Sequence, residues 1–128
     1  MGNGKRRVLV LDDSEISLEM GRFVLEERGY EVATATNLEE FQRRLEHFRP
    51  DLLLTDHVMP EISGAELVAR LKRDLETERI PVILFSSKPE AELRKLATES
   101  GADGWLSKAE GIEKLGEMVD ALVDEIIW

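Results

Sequence analysis

The stretch PDLLLTD, residues 50–56, decides the fold of this chain. Pro50 ends any helix that precedes it, because proline lacks a backbone N–H and its ring clashes with the previous turn. The leucines at 52–54 then form an uninterrupted apolar run. Because successive side chains of a strand point to opposite faces, this run predicts a strand buried on both faces. Such strands are typical of a parallel sheet that helices cover on each side.

The same pattern recurs on both sides of this stretch. Apolar runs predict strands at residues 8–11, 30–35, 51–55 and 81–85, and a short one at Trp105 and Leu106. A helix is predicted after each strand, because apolar residues follow at helical spacing. The predicted apolar faces are, in chain order, Ile16, Met20, Phe23 and Val24; Leu38, Phe41, Leu45 and Phe48; Leu67, Val68, Leu71 and Leu75; Leu93, Leu96 and Ala97; and Ile112, Leu115, Val119, Leu122, Val123 and Ile126.

The order is therefore a strand followed by a helix, repeated five times. Right-handed crossovers place the helices on both faces of a parallel sheet. We predict the α/β class: a five-stranded parallel sheet in a doubly wound (βα)5, flavodoxin-like three-layer sandwich. The pattern does not fix the strand order, and the flavodoxin-like order is a common one for five strands. Asn37 with Glu40, and Ser63 with Glu66, predict capping boxes at the second and third helices.

Length and composition indicate one globular domain. The chain has 128 residues, of which 42% are hydrophobic and 34% charged. We predict a single domain over residues 1–128, with a flexible flank at residues 1–6. No apolar run approaches the roughly 18 residues needed to cross a membrane, so the simplest expectation is a cytoplasmic protein. The apolar tail Ile126-Ile127-Trp128 is predicted to pack on the last helix, to join a dimer or to continue into a longer chain.

Charge and cysteine content exclude several classes of function. The formal net charge is −10, whereas nucleic-acid binding draws much of its affinity from Lys and Arg. Direct contact with nucleic acid is therefore not expected. The chain has no cysteine, which excludes disulfides, thiol catalysis and zinc–thiolate sites.

Polar side chains follow four of the predicted strands. In open α/β sheets, ligands bind beyond the carboxyl ends of the strands. Asp12 and Asp13 follow the first strand, Asp56 the third, Ser86 the fourth and Lys108 the fifth. In the flavodoxin-like order these strands are neighbours, so the side chains would meet at one edge of the sheet.

The residue types at this edge suit phosphoryl chemistry. Clustered carboxylates without histidine or cysteine favour Mg²⁺, which prefers oxygen ligands. A carboxylate can attack phosphorus to give an aspartyl phosphate, and an ammonium group and a hydroxyl can stabilise the transferred oxygens. Each residue also has a structural interpretation: Asp13 or Ser14 as a helix cap, Asp56 as a turn residue, Ser86 as packing and Lys108 as solvated surface. Their coincidence at one edge favours the functional interpretation.

With this pattern the chain resembles the response-regulator receiver domains of bacterial two-component signalling. The resemblance extends from residue 7 to the last helix. The stretches that carry it are VLDDS at 10–14, PDLLLTDHVMP at 50–60, Gly64, PVILFS at 81–86 and GADGWLSK at 101–108.

The resemblance implies a role for each residue of the site. Asp56 would accept a phosphoryl group from the phosphohistidine of a histidine kinase or phosphotransfer protein. Asp12 and Asp13, with Asp56 and the backbone carbonyl of Val58, would hold Mg²⁺. Lys108 would pair with the phosphoryl group. Such a domain is not a conventional enzyme, although it catalyses its own phosphorylation and dephosphorylation.

The resemblance also implies a switch. Ser86 would hydrogen-bond the phosphoryl group and move toward it, and the ring of Trp105 would follow. The face formed by the fourth helix, fifth strand and fifth helix would then change its affinity for a downstream protein target. The same face could also join two copies as a homodimer.

Three residues depart from the family's pattern. Ala109 follows Lys108 where the family usually has a proline on a cis bond, and a non-proline cis bond costs about 3 kcal/mol. The bond could therefore be trans, with a different loop. Ser87 replaces a small alanine, and Trp105 is bulkier than the usual Tyr or Phe.

Two other classes of function remain as alternatives. A degenerate receiver would act as a phosphorylation-independent interaction module, against which the intact Asp12, Asp13, Asp56 and Lys108 argue. A cofactor-binding protein or phosphatase of the same architecture lacks its signals: no G-x-G-x-x-G follows the first strand, and Asp-Asp-Ser stands where a haloacid-dehalogenase-type phosphatase would have Asp-x-Asp.

Overall fold

The computed structural model describes residues 5–127, with only the backbone for residues 126 and 127. A helix follows each strand, as predicted. Within the described residues, no helix is both long enough and apolar enough to cross a membrane. The strands are β1 (Arg7–Leu11), β2 (Glu31–Ala35), β3 (Leu52–Thr55), β4 (Val82–Ser86) and β5 (Gly104–Ser107); the helices are α1 (Glu15–Glu27), α2 (Leu38–Phe48), α3 (Gly64–Arg73), α4 (Glu90–Ser100) and α5 (Ile112–Leu122), with a 3₁₀ helix at Lys108–Glu110 and a π-helical turn at Val123–Ile127.

The strands form one parallel sheet in the order β2-β1-β3-β4-β5. This is the predicted flavodoxin-like order, and the α/β fold class is confirmed. The pairing aligns the carboxyl ends of the strands: Leu11 lies beside Thr55, and Ser86 lies beside Ser107. Residues that directly follow β1 and β3 are therefore brought to the same edge of the sheet.

The core lies in two layers, one on each face of the sheet. Alternate residues of a strand enter opposite layers: Leu54 packs with α1 and α5, whereas Leu53 packs with α2, α3 and α4. The leucines of β3 are almost entirely buried. The continuous apolar run therefore predicted correctly that both faces of this strand are covered.

The predicted capping boxes at α2 and α3 are confirmed in their main contact. Asn37 Oδ1 accepts a hydrogen bond from Glu40 N at 2.8 Å, and Ser63 Oγ accepts one from Glu66 N at 3.1 Å. The reciprocal contact at α2 reaches one residue further back, because Glu40 Oε1 accepts from Thr36 N at 2.8 Å.

The apolar face predicted for α1 is wrong. The helix buries a different set of residues, Leu18, Gly21 and Leu25, which also recur at helical spacing. Gly21 has no side chain and therefore does not stand out in an apolar pattern, yet it lies where α1 passes Leu115 of α5. Three of the four predicted residues lie largely in solvent, with exposures of 74% for Ile16, 50% for Met20 and 63% for Phe23, whereas Val24 is half-buried.

The prediction that Leu75 extends the apolar face of α3 is also wrong. The helix ends at Arg73, and Leu75 is 88% exposed. Thr77 takes the buried position instead, and its Oγ1 donates to the carbonyl of Leu71 at 2.7 Å. The hydroxyl thus satisfies a carbonyl at the helix end, which an apolar residue could not do.

Two predictions concern residues at the ends of the chain. Residues 1–4 of the predicted flank lie outside the described residues, whereas Lys5 and Arg6 are exposed and belong to no strand or helix. The packing predicted for the tail Ile126-Ile127-Trp128 likewise lies outside the side chains that the structure describes.

A polar cluster ties the C-terminal end of α1 to α5. The hydroxyl of the buried Tyr30 donates to Asp120 Oδ1 at 2.6 Å, and Arg28 Nη1 lies 3.4 Å from Asp120 Oδ2. Burial raises the pKa of the Tyr30 phenol, and the hydrogen bond to the negative Asp120 raises it further. The neutral phenol is therefore favoured by the folded protein.

Tyr30 is the only tyrosine of the chain, so its ionisation can be followed directly by tyrosinate absorbance during an alkaline titration. We expect the midpoint to lie above the ordinary value of about 10. Asp120→Asn, which removes the negative charge, should move the midpoint down. Because the phenol pKa is raised by folding, the free energy of unfolding should fall as pH rises above the pKa of the unfolded chain, and this loss should be smaller in the variant.

Glu46→Gln is the control, since Glu46 is an exposed carboxylate on α2. Its midpoint should match that of the wild type. Equal midpoints for the wild type and Asp120→Asn would contradict the role given to this carboxylate.

Candidate functional site

Three carboxylates meet at the carboxyl edge of the sheet. Asp12 follows β1 and Asp56 follows β3, and each of Asp12, Asp13 and Asp56 offers an oxygen within 4.8 Å of the others. Asp12 is 3% exposed and Asp56 is 7% exposed, whereas Asp13 lies in solvent. Clustered carboxylates repel one another, so the arrangement could hold a cation with oxygen ligands.

Backbone amides fix one oxygen of each buried carboxylate. Asp12 Oδ1 accepts from Ser14 N at 2.9 Å, and Asp56 Oδ1 accepts from Val58 N at 3.2 Å. The structural interpretation of Ser14 is correct, because its Oγ caps α1 by accepting from Ser17 N at 3.2 Å. Asp13 is therefore not needed as the cap of this helix.

Lys108 brings its ammonium group between the two buried carboxylates. Its Nζ lies 2.7 Å from Asp12 Oδ2 and 3.2 Å from Asp56 Oδ2, and 5.6 Å from the centre of the Phe85 ring. Burial acts to lower the pKa of Lys108, but the hydrogen bond to Asp12 and the charges of Asp56 and Asp12 outweigh it, and the pKa is raised. One positive group thus faces three carboxylates, so the edge keeps an excess of negative charge.

Ser86 and Trp105 lie on the neighbouring strands. Ser86 is the last residue of β4 and is fully buried, and its Oγ accepts a long hydrogen bond from Lys88 N at 3.5 Å. Trp105 on β5 is half-buried and packs against the core layer of α2, α3 and α4. Ser87 is exposed. Asp12, Asp13, Asp56, Ser86 and Lys108 therefore lie at the carboxyl edge of the sheet, whereas Trp105 lies on β5 two residues before the end of that strand.

The loop between β3 and α3 is held close to Asp56. Gly64 N donates to the carbonyl of His57 at 2.8 Å, and Ala65 N donates to His57 Nδ1 at 3.3 Å. A side chain at position 64 would collide with the carbonyl oxygen of Asp56 and lie 2.8 Å from His57 Cα. Gly64 therefore lets the start of α3 approach the backbone of the site. Gly64 is one of the residues that carry the resemblance to receiver domains, but the close approach to the backbone of Asp56 and His57 is visible only in the structure.

The turn that carries Lys108 differs from the family's pattern. Among residues 5–127 no peptide bond is cis, so the Lys108–Ala109 bond is trans. The hydroxyl of Ser107 accepts a hydrogen bond from Ala109 N at 3.2 Å. Ser107 has no role in the predictions made from the sequence. The signal for one was present, because Ser107 directly precedes Lys108 and Ala109, which is not a proline, directly follows it.

Comparison with known proteins agrees with this geometry. Residues 8–120 match the response regulator receiver domain family. The chain is 34% identical over 117 residues to the phosphate regulon transcriptional regulatory protein PhoB of Rhizobium meliloti, covering 91% of this chain and 52% of that protein. This chain spans about half the length of such curated relatives.

Solved structures give the same result. The chemotaxis protein CheY4 of Vibrio cholerae superposes with a TM-score of 0.82 at 27% identity, covering 92% of this chain and 98% of that one. A CheY-like response regulator receiver domain protein of Methanospirillum hungatei superposes with a TM-score of 0.83 at 25% identity, covering 95% and 96%. With its parallel sheet and the residues gathered at its edge, the chain belongs to the response-regulator receiver domain family of two-component systems.

Proposed function

We propose that this domain is a phosphorylation switch that accepts a phosphoryl group on Asp56 from a histidine kinase or phosphotransfer protein. The observation that carries the proposal is the contact of Lys108 Nζ with both Asp12 and Asp56 inside a cluster of three carboxylates. A lysine held in this way can neutralise a phosphoryl group that arrives at Asp56. Membership of the receiver domain family supports the same role.

The transfer joins a carboxylate oxygen of Asp56 to phosphorus. The bond between phosphorus and the donor's leaving group breaks, the leaving group takes the electron pair, and an acyl phosphate remains on Asp56. Lys108 is already within hydrogen-bond distance of Asp56, so it can stabilise the added negative charge without a large movement. The hydroxyl of Ser86, at the end of the neighbouring strand, would donate to a phosphoryl oxygen.

The donor set fits Mg²⁺. Asp12, Asp13 and Asp56 supply carboxylate oxygens, and neither histidine nor cysteine lies in the cluster, which favours a hard cation. These carboxylates, with the backbone carbonyl of Val58, would hold the ion. Bound Mg²⁺ would offset the charge of the carboxylates and of the phosphoryl group.

The output would be a change of partner binding. Ser86 on β4 and Trp105 on β5 would link the edge of the sheet to the face formed by α4, β5 and α5, which would present a different surface once Ser86 bonds the phosphoryl group. A downstream protein target, or a second copy of the chain, would bind the phosphorylated form better. This is a shift between two populated states, driven by charge and hydrogen bonding at the site.

We expect the wild type to gain the mass of one phosphoryl group when it is incubated with acetyl phosphate and Mg²⁺, and to lose it on treatment with hydroxylamine, which cleaves acyl phosphates. Asp56→Asn should gain nothing, because an amide is a poor nucleophile. Intact-mass spectrometry reads both results. Glu46→Gln, an exposed carboxylate replaced on α2, should behave as the wild type does. A gain that persists in Asp56→Asn would contradict the assignment of the acceptor.

Mg²⁺ should also stabilise the folded protein in the absence of any phosphoryl donor. At ten times its dissociation constant, a ligand specific for the folded state adds about 1.4 kcal/mol to the free energy of unfolding. We expect this increase for the wild type and Glu46→Gln, and its loss in Asp13→Asn, whose exposed side chain is one of the proposed ligands. Thermal unfolding with and without Mg²⁺ measures it. An equal increase in Asp13→Asn would show that the ion binds elsewhere.

A further inference from the structure

The turn between β5 and α5 is closed by hydrogen bonds to its own residues. Ser107, the last residue of β5, is 6% exposed, and its Oγ accepts from Ala109 N at 3.2 Å. The carbonyl of Lys108 accepts from Gly111 N at 3.3 Å, which closes the 3₁₀ helix. Gly111 has φ 102° and ψ 148°, a conformation that is essentially restricted to glycine. The backbone on either side of Lys108 is thus tied down.

The position of this backbone decides where the ammonium group of Lys108 lies. Nζ must reach two carboxylates that follow two other strands at once, Asp12 Oδ2 at 2.7 Å and Asp56 Oδ2 at 3.2 Å. The amine also lies 5.6 Å from the centre of the Phe85 ring. A small rotation of the turn would therefore separate Nζ from at least one carboxylate.

The contact of Ser107 with Ala109 depends on two features of this chain together. Ala109 has a backbone N–H, which a proline at this position would lack, and the hydroxyl of Ser107 accepts it. With no acceptor this N–H, in the first turn of a 3₁₀ helix, has no partner within the helix. The Ser107 hydroxyl therefore supplies the hydrogen-bond acceptor that Ala109 N needs in the trans turn.

We propose that Ser107 is a positioning residue for phosphoryl transfer, because its hydroxyl holds Ala109 N and so fixes the turn that aims Lys108 at Asp12 and Asp56. This inference rests on the proposed function. Ser107 touches no reacting atom and acts through Lys108 alone.

The test measures the rate at which acetyl phosphate and Mg²⁺ phosphorylate the intact chain. Ser107→Ala should lower the maximal rate about 10-fold, since small displacements of a catalytic group are costly, while Ser107→Thr, which keeps the hydroxyl, should restore most of it. Ser107→Cys keeps a side chain close to serine in size but is a weaker acceptor, so its rate should resemble that of Ser107→Ala. This second variant keeps the test decisive if Ser107→Ala fails to fold. Asn37→Ala removes a comparable cap from α2 and should leave the rate unchanged.

A double substitution shows whether Ser107 works through Lys108. In a Lys108→Ala background, replacing Ser107 by Ala should change the already reduced rate less than 2-fold, because the two effects are not independent. If the two substitutions instead lower the phosphorylation rate independently, so that their fold-losses multiply, the positioning role is overturned. A Ser107→Ala variant with the wild-type rate would overturn it too. A wild type that gains no phosphoryl group would overturn the proposed function and this inference with it. Failure of the positioning role alone is distinguishable, because the wild type would then still be phosphorylated.

Discussion

Two buried carboxylates share one ammonium group, and the architecture of the domain serves to make that contact. Burying Asp12 and Asp56 side by side is costly, because like charges repel and both lose hydration. Lys108 offsets part of this cost, but it follows β5, which lies three places away in the sheet from β1, the strand that Asp12 follows. Parallel strands with aligned carboxyl ends bring the three residues together, and helices on both faces keep those strands dry enough for the contact to be strong.

Much of the fold could be predicted because its signals are local. An apolar run followed by an aspartate marks both a strand and the edge at which it ends, and β1 and β3 each carry that signal. The faces of the helices were less predictable. Helix α1 has two stripes at helical spacing, and the larger residues belong to the exposed one, whereas Gly21 lies on the buried one. Which stripe faces the sheet depends on the close approach of α5, which no local pattern records.

The candidate site likewise has residues that could be predicted from the sequence and contacts that could not. Asp12, Asp56 and Lys108 were predictable because each follows a strand, and the strand order then brought them together. The hydrogen bond of Ser107 was not predictable, because it requires the trans turn at Lys108–Ala109 and the path of the chain into α5. Gly64 was visible as a residue, but the reason for it, the backbone of Asp56 and His57 directly behind its Cα, is visible only in three dimensions.

The separation of the contacting residues along the chain has a consequence for biosynthesis. Asp12 and Lys108 are 96 positions apart, and Asp56 and Lys108 are 52 apart. A ribosome that has translated only the first four strands has released both buried carboxylates but not the ammonium group that they share. Non-local contacts of this kind also form late and slowly during folding. The cluster of Asp12, Asp56 and Lys108 therefore assembles only once the fifth strand has emerged and docked, so an incomplete nascent chain lacks the cation that offsets the charge of its two carboxylates.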